Sequence, residues 1–282
     1  MTGHAKRIGD IAEIMELPEL DYYCERHGPY TGKSAMMRFG KMRQTIDPPC
    51  PQCEAEKKEE EERQNEREIM LKEEAREEKR IAAIKKMNIG KKFWHESFET
   101  FDPYTPELRH HLDACRAFAG KPEGRMLIML GNNGNGKDHL AASMLQYVGG
   151  YVYSVFEIEL LLKRCYSGKT SEWGFYRRLC EAPLLVINEI GKHKQGNWEL
   201  NFISYIINKR YENMMPVVLI SNKHLKEQCP NKGCEDCFQN YLGNDVLSRI
   251  TEGGKVLLFT GEDYRVKIRE KKFMEKGENY VC

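Results

Sequence analysis

Five apolar side chains in a row, Met126-Leu-Ile-Met-Leu130, run directly into Gly131-Asn-Asn-Gly-Asn-Gly-Lys-Asp138 and then into His139-Leu-Ala-Ala-Ser-Met-Leu145. A short apolar run closed by glycine reads as a buried strand, and the stretch behind it reads as a helix. The turn between them fits the phosphate-binding pattern G-x-x-x-x-G-K, except that Asp138 stands where Ser or Thr would hold magnesium. Glycines at 131, 134 and 136 let backbone N–H groups face an anion, the helix N-terminus adds partial positive charge, and Lys137 is placed to reach terminal phosphates. These flanks favour a phosphate loop over a Gly/Asn-rich turn that merely ends a strand. The candidate cofactor-binding residues are Gly131, Asn132, Asn133, Gly134, Asn135, Gly136, Lys137, Asp138 and His139.

Such a loop needs a second strand ending in acids. Leu184-Leu-Val-Ile-Asn188-Glu189 supplies the strand with only one of them. Asn188 stands where the magnesium-holding Asp is expected, while Glu189 is in place to polarise the attacking water. Two readings of the departures stay open: one exchange, in which the loop offers the acid Asp138 and the strand the neutral Asn188 so that the formal charge around the ion is kept, or independent drift of both positions, with ATP bound weakly or without metal. The expected cofactors are ATP or ADP with Mg2+.

Composition sets the frame. The chain has 282 residues with net charge +1, so any nucleic-acid contact must be a local patch. It has no apolar run long enough to cross a bilayer and no apolar signal-peptide core near Met1, which predicts a cytoplasmic protein without membrane contact. In a reducing compartment its ten cysteines read as metal ligands or buried thiols rather than disulfides.

Cys24-Glu-Arg-His27 and Cys50-Pro-Gln-Cys53 are two ligand pairs of matched spacing, separated by a stretch with Tyr30, Thr31 and Gly32 read as a loop. That is the layout of a zinc ribbon or knuckle, in which one Zn2+ holds residues that cannot build a core unaided. A second group, Cys229, Cys234 and Cys237 with His224, lies in a polar stretch containing Gly and Pro. Only Cys234 and Cys237 have knuckle spacing, so a second metal and a loop of free thiols both remain open. Cys115, Cys165 and Cys180 read as buried thiols.

From residue 54 to 86 the chain is nearly all Glu, Lys and Arg, with Glu54/Lys58, Glu59/Arg63 and Glu68/Lys72 at i,i+4. This predicts a solvated helical spacer with too few apolar residues for a long coiled coil. Behind the phosphate loop, strands and helices alternate: strands at 151–155, 184–188, 217–220 and 255–259, and helices at 156–166, 199–214 and 240–250. Asn222 follows one of these strands, where it can orient the attacking water. Arg249 reads as a group that reaches a neighbouring subunit's phosphate and Arg265 as one that acts within its own, with plain surface arginines as the alternative for both.

Gly136-Lys-Asp-His-Leu-Ala-Ala, Leu184-Leu-Val-Ile-Asn-Glu-Ile-Gly191, Ile220-Ser-Asn222, Val246-Leu-Ser-Arg249-Ile and Asp263-Tyr-Arg265 together resemble the DnaC-type branch of AAA+ ATPases, the replicative-helicase loaders of bacteria and phages. The resemblance spans about residues 93 to 270. It implies an α/β fold, an AAA+ P-loop domain with a five-stranded parallel sheet and no lid domain, preceded by a small zinc-binding module and a charged helix. Residues 1–53 would be a zinc-binding, helicase-interacting module with ligands Cys24, His27, Cys50 and Cys53. Residues 54–90 would be the linker and 91–282 the ATPase. Walker A falls on Gly131 to Asp138, Walker B on Asn188 and Glu189, sensor 1 on Asn222, the arginine finger on Arg249 and sensor 2 on Arg265.

The same resemblance places single-stranded DNA contacts at Lys163, Tyr166 and Trp198. A cation there would steer phosphates and the rings would stack on unpaired bases. The implied partners are a DnaB-type helicase hexamer, single-stranded DNA and further copies of the AAA+ domain, with hydrolysis weak and ATP acting as a switch. Two other readings stay open: a transposase helper of the IstB type, and a zinc adaptor that binds nucleotide without hydrolysing it.

Overall fold

The computed structural model describes residues 13–39, 42–122, 124–167, 171–192, 197–229, 231, 234, 237–242 and 244–266. Cys282 and the chain beyond residue 266, where a lid would follow, lie outside the described residues. The chain divides into two compact units, Met1–Glu78 and Lys79–Cys282.

In the first unit, β1 (Glu13–Cys24), β2 (Gly28–Phe39) and β3 (Met42–Ile46) form an antiparallel sheet in that order. The hairpin from β1 to β2 closes with Cys24 opposite Gly28, whose φ of 82° is a left-handed conformation that glycine adopts without strain. Tyr30, Thr31 and Gly32, expected in a loop, are strand residues paired with Tyr22, Asp21 and Leu20. The turn is confined to residues 25–27, because antiparallel pairing lets the chain reverse next to Cys24. The charged stretch is one helix, α1 (Pro51–Lys86), opened by Pro51 and carrying acid in its first turn and lysines in its last. Of the expected pairs, Glu68 and Lys72 lie 2.5 Å apart, while Arg63 turns to Glu60 at 2.8 Å instead of Glu59. The last turns of α1 set Ile81 and Ile84 into the core of the second unit, which is why the division falls within the helix.

The second unit opens with α2 (Pro106–Gly120), capped by Thr105, whose hydroxyl accepts from Leu108 N. It continues through β4 (Met126–Gly131), α3 (Lys137–Val148), β5 (Tyr151–Ser154), α4 (Val155–Tyr166), α5 (Glu172–Glu181), β6 (Leu185–Asn188), α6 (Asn197–Glu212), β7 (Val217–Ser221), α7 (Phe238–Tyr241), α8 (Asn244–Gly253) and β8 (Gly254–Phe259). The strands make one parallel sheet in the order β5-β6-β7-β4-β8. Strand alternation divides the core in two. Leu127 and Met129 pack with Leu112, Phe118 and Met144 of α2 and α3 on one face, and Ile128 and Leu130 pack with Ile158, Leu179 and Ile207 of α4, α5 and α6 on the other.

Several expected bounds move for local reasons. Val155 opens α4 instead of ending a strand, because Ser154 and Glu157 close a capping box around the helix start. The helix expected at 199–214 stops at Glu212, and Met214 takes a left-handed φ of 55°. The single helix expected at 240–250 is two, α7 and α8, separated where Leu242 turns extended at φ −90°, ψ 143°. Arg210 is fully buried and staples three carbonyls: Nη1 donates to Leu179 O at 2.8 Å, and Nη2 to Ala182 O at 2.8 Å and Pro216 O at 2.5 Å.

Candidate nucleotide site

The loop between β4 and α3 passes through left-handed glycines, with φ of 79° at Gly134 and 83° at Gly136. A Cβ on Gly136 would sit 2.6 Å from the Phe101 ring, so both backbone angle and space require glycine there. Asn135 anchors the loop to the end of β8, its Nδ2 donating to Phe259 O at 3.1 Å and Gly261 O at 2.8 Å, while its buried Oδ1 has no protein partner. Lys137 is 6% exposed and donates to the loop's own carbonyls, Gly131 O at 2.8 Å and Asn132 O at 2.5 Å. Burial drives its ammonium down to about 8, against an opposing pull from Asp138.

A cleft of about 320 Å³ opens over the loop. It is lined by Asn133 to His139 together with Asn188, Glu189, Asn222 and Arg265, so residues spread over more than a hundred positions meet in one place. Asn188 Nδ2 donates to Asp138 Oδ1 at 2.7 Å, and Asn188 Oδ1 accepts from Glu189 N at 2.6 Å, which orients the amide. Glu189 has a left-handed φ of 59°, costly for a residue with a side chain, and its carboxylate pairs with Lys192. Asn222 Nδ2 donates to Asn133 Oδ1 at 2.8 Å. Arg265 stands near Asp263, Nε to Oδ1 at 4.0 Å. His139 is committed elsewhere: its Nε2 reaches Ser97 O at 2.8 Å and its Nδ1 lies 3.3 Å from Glu96.

Some cleft residues were not singled out from sequence. Tyr104 and Tyr264 stack at 5.0 Å and 12° along its wall, with Phe101 and Leu108 nearby, a flat apolar end suited to an aromatic base. The loop's left-handed glycines and the buried lysine fit a nucleotide phosphate. Asp138 with Asn188 offers the oxygens for Mg2+, which would screen phosphate charge. Arg249 is not among the cleft residues; its guanidinium stacks over the Tyr211 ring at 4.5 Å.

Two of the DNA candidates can be placed by their side chains. Lys163 pairs with Glu159 on α4, its own side chain exposed, and Tyr166 ends the same helix 63% exposed. Trp198 lies on α6, its side chain outside the described residues. A further exposed aromatic row was missed: Trp173 stacks on Tyr176 at 5.4 Å and Tyr176 on Tyr205 at 6.0 Å.

In the first unit, Cys24, His27, Cys50 and Cys53 converge, with all four ligand atoms within 4.8 Å of one another. Sγ of Cys24 and Cys53 are 3.6 Å apart, and His27 Nδ1 lies 3.8, 3.7 and 3.3 Å from Cys24, Cys50 and Cys53. A tetrahedral zinc with bonds of about 2.3 Å to sulfur and about 2.0 Å to nitrogen spaces its ligands by about 3.5–3.8 Å, so the donor set fits the ion. Glu56 Oε1 meets the far nitrogen of His27 at 3.1 Å. Backbone N–H groups of Arg26 and His27 hold the Cys24 thiol down at about 6.

Residues 48–272 match the family described as IstB-like ATP binding protein. The chain belongs to that family. The replicative helicase loader DnaC of Escherichia coli K12 is 25% identical over 186 residues, covering 63% of this chain and 72% of DnaC. The uncharacterized protein YdaV of the same organism is 28% identical over 158 residues, 54% of this chain and 55% of YdaV. The crystal structure of the DnaC helicase loader superposes with a TM-score of 0.53 at 26% identity, over 61% of this chain and 100% of that one. AMPPCP-bound DnaA from Aquifex aeolicus, 15% identical, shares the fold with a TM-score of 0.50, over 68% of this chain and 58% of DnaA. The α/β fold with its five-stranded parallel sheet is therefore that of the AAA+ domains of these proteins. Among the described residues, no helix is long and apolar enough to cross a membrane.

Proposed function

We propose that this chain is an ATP-regulated loader that binds a ring-shaped DnaB-type replicative helicase and delivers it onto single-stranded DNA. The observation that carries the reading is the relation to DnaC over 72% of that loader's length, beside a nucleotide cleft whose residues all lie within the family match at 48–272. In this reading residues 1–53 form the zinc module that meets the helicase, 54–90 the linker and 91–282 the AAA+ domain.

The chain's own groups divide the work. Lys137 would leave the loop carbonyls for terminal phosphate oxygens. Asp138, held by Asn188, would face Mg2+ beside the β- and γ-phosphates. Glu189, freed from Lys192, would orient and deprotonate a water, while Asn222 and Arg265 would report the terminal phosphate. The Asp138–Asn188 pair departs from the motif beside the reacting phosphate, which supports slow turnover and a switch-like use of ATP. Arg249 of α8, half-buried over the Tyr211 ring, would turn out to serve a neighbouring copy, and Lys163, Tyr166 and Trp198 would carry single-stranded DNA.

A second reading is favoured by the family match itself: an IstB-type helper that remodels a transposase on duplex DNA. Affinity capture separates the two. The purified chain with ATP is expected to retain the replicative helicase of its host and to increase that helicase's unwinding of a duplex flanked by protein-coated single-stranded DNA. Retention of a transposase and not the helicase would overturn the loader reading.

A further inference from the structure

We propose that His224, Cys229, Cys234 and Cys237 bind a second zinc ion inside the ATPase unit, clasping the connection between β7 and the helix that carries Arg249. The inference rests on the ligand cluster alone and stands whichever partner the chain serves.

Sequence spacing left this group open because only Cys234 and Cys237 are a knuckle pair. Folding supplies the rest. All four ligand atoms lie within 4.8 Å of one another. His224 Nε2 is 3.6 Å from Cys234 Sγ and 3.5 Å from Cys237 Sγ, at the ligand spacing of about 3.5–3.8 Å that a tetrahedral zinc imposes. One imidazole and three thiols form a closed soft set with no position left for water or substrate, the character of a structural site.

The surroundings give the ion a task. His224 and Cys237 pair as a parallel bridge, and Phe238 N donates to His224 O at 2.9 Å, so the segment is a closed loop whose two ends meet. Cys237 and Phe238 are 1% and 2% exposed and join the core, whereas Cys229 and Cys234 are only half-buried. Asn240 Nδ2 donates to Cys234 O at 2.7 Å. Apart from Pro230 and its two cysteines, the stretch from 226 to 236 is charged, polar or glycine, with no Leu, Ile, Val, Met or aromatic residue. Metal bonds can supply that anchorage, as they do in domains too small to build a core.

The clasp begins two residues after Asn222, whose amide holds Asn133 of the phosphate loop, and ends at α7, one short step before α8. A metal here would fix both the residue beside the terminal phosphate and the base of the helix bearing Arg249. The N-terminal cluster uses none of these residues, so the two sites are independent.

Zinc content of the full chain, purified reduced and without chelator, tests the site. The wild type is expected to hold two zinc ions per chain. The variant Cys50→Ser with Cys53→Ser, altered only in the first unit, is expected to hold one, and adding Cys229→Ser should cut that remaining zinc at least tenfold. A zinc-free Cys50→Ser, Cys53→Ser chain overturns the proposal, and one ion persisting after Cys229→Ser overturns this ligand set. Should the triple variant misfold, Co2+ reconstitution of the double variant decides. Intense tetrahedral d–d bands with thiolate charge transfer support the site, and their absence overturns it.

Discussion

Asn188 Nδ2 donates to Asp138 Oδ1 across 2.7 Å, so the two positions that depart from the phosphate-loop and acidic-strand motifs touch each other. The amide of one side chain satisfies the carboxylate of the other, and Glu189 N fixes the amide's orientation. The proposed exchange places the acid on the loop and the amide on the strand. In a double-mutant cycle on Mg-ATP affinity, Asp138→Asn alone is expected to lose metal dependence, and adding Asn188→Asp to restore it. Residues in one contact couple by about 0.5–3 kcal/mol. Strictly additive effects in titrations with and without magnesium would sink the exchange.

Burial that lowers Lys137 to about 8 has a signed consequence. Between that value and the ordinary 10.5 the unfolded chain binds the proton and the folded chain does not, so this group adds stability as pH rises through the window. Nucleotide affinity should fall over the same range as the ammonium loses its charge. Lys137→Met is expected to abolish ATP binding while leaving the thermal midpoint of the empty protein unchanged or raised. A lowered midpoint would contradict this account.

Glu56 meets the nitrogen of His27 that faces away from the sulfur cluster. Such carboxylates orient the ligand imidazole, and their loss weakens metal binding by about 10- to 100-fold. Glu56→Gln should show that loss in chelator competition, whereas Cys50→Ser with Cys53→Ser should remove the N-terminal zinc entirely. Zinc retained in full by the double variant would exclude this ligand set.

Single-stranded DNA is expected to stimulate ATP turnover, with Lys163→Ala, Tyr166→Ala and Trp198→Ala each weakening oligonucleotide binding. Each aromatic lost should cost about 1–3 kcal/mol. The exposed row Trp173, Tyr176 and Tyr205 gives a control surface: if Trp173→Ala weakens binding and the first three variants do not, the strand runs over α5 and α6 instead.

Arg210→Met should lower the free energy of unfolding by about 3 kcal/mol or more. It strips hydrogen bonds from the carbonyls of Leu179, Ala182 and Pro216 inside the core, and each unpaired group costs about 1–3 kcal/mol. Denaturant titration with an unchanged slope would measure this as a loss of stability.

The five strands of the parallel sheet were legible because each is a local apolar run, and the phosphate loop because its residues are contiguous. Helix α1 was legible from charge spacing. The β1–β2 hairpin was not, since Glu13–Cys24 mixes charged, apolar and proline residues and its order comes from pairing across the turn. Helix α5 escaped because its apolar Phe175 and Leu179 sit among exposed arginines, and α2 despite its Thr105-Pro106 start signal. In the cleft, the motif residues were found by pattern, but Tyr104 and Tyr264 meet only in three dimensions. The direct contact of Asp138 with Asn188 is likewise a product of β4 and β6 lying on either side of β7.

Lys137, resting on the carbonyls of Gly131 and Asn132, acts as an internal placeholder for the cleft. With its cation already seated, the loop does not have to be frozen when a ligand arrives, and the conformational entropy of that ordering is settled during folding. In the proposed reading, an arriving nucleotide would exchange one set of oxygens around the ammonium for another, and its departure would reverse the exchange. A loop held this way would be preorganised before a nucleotide arrives.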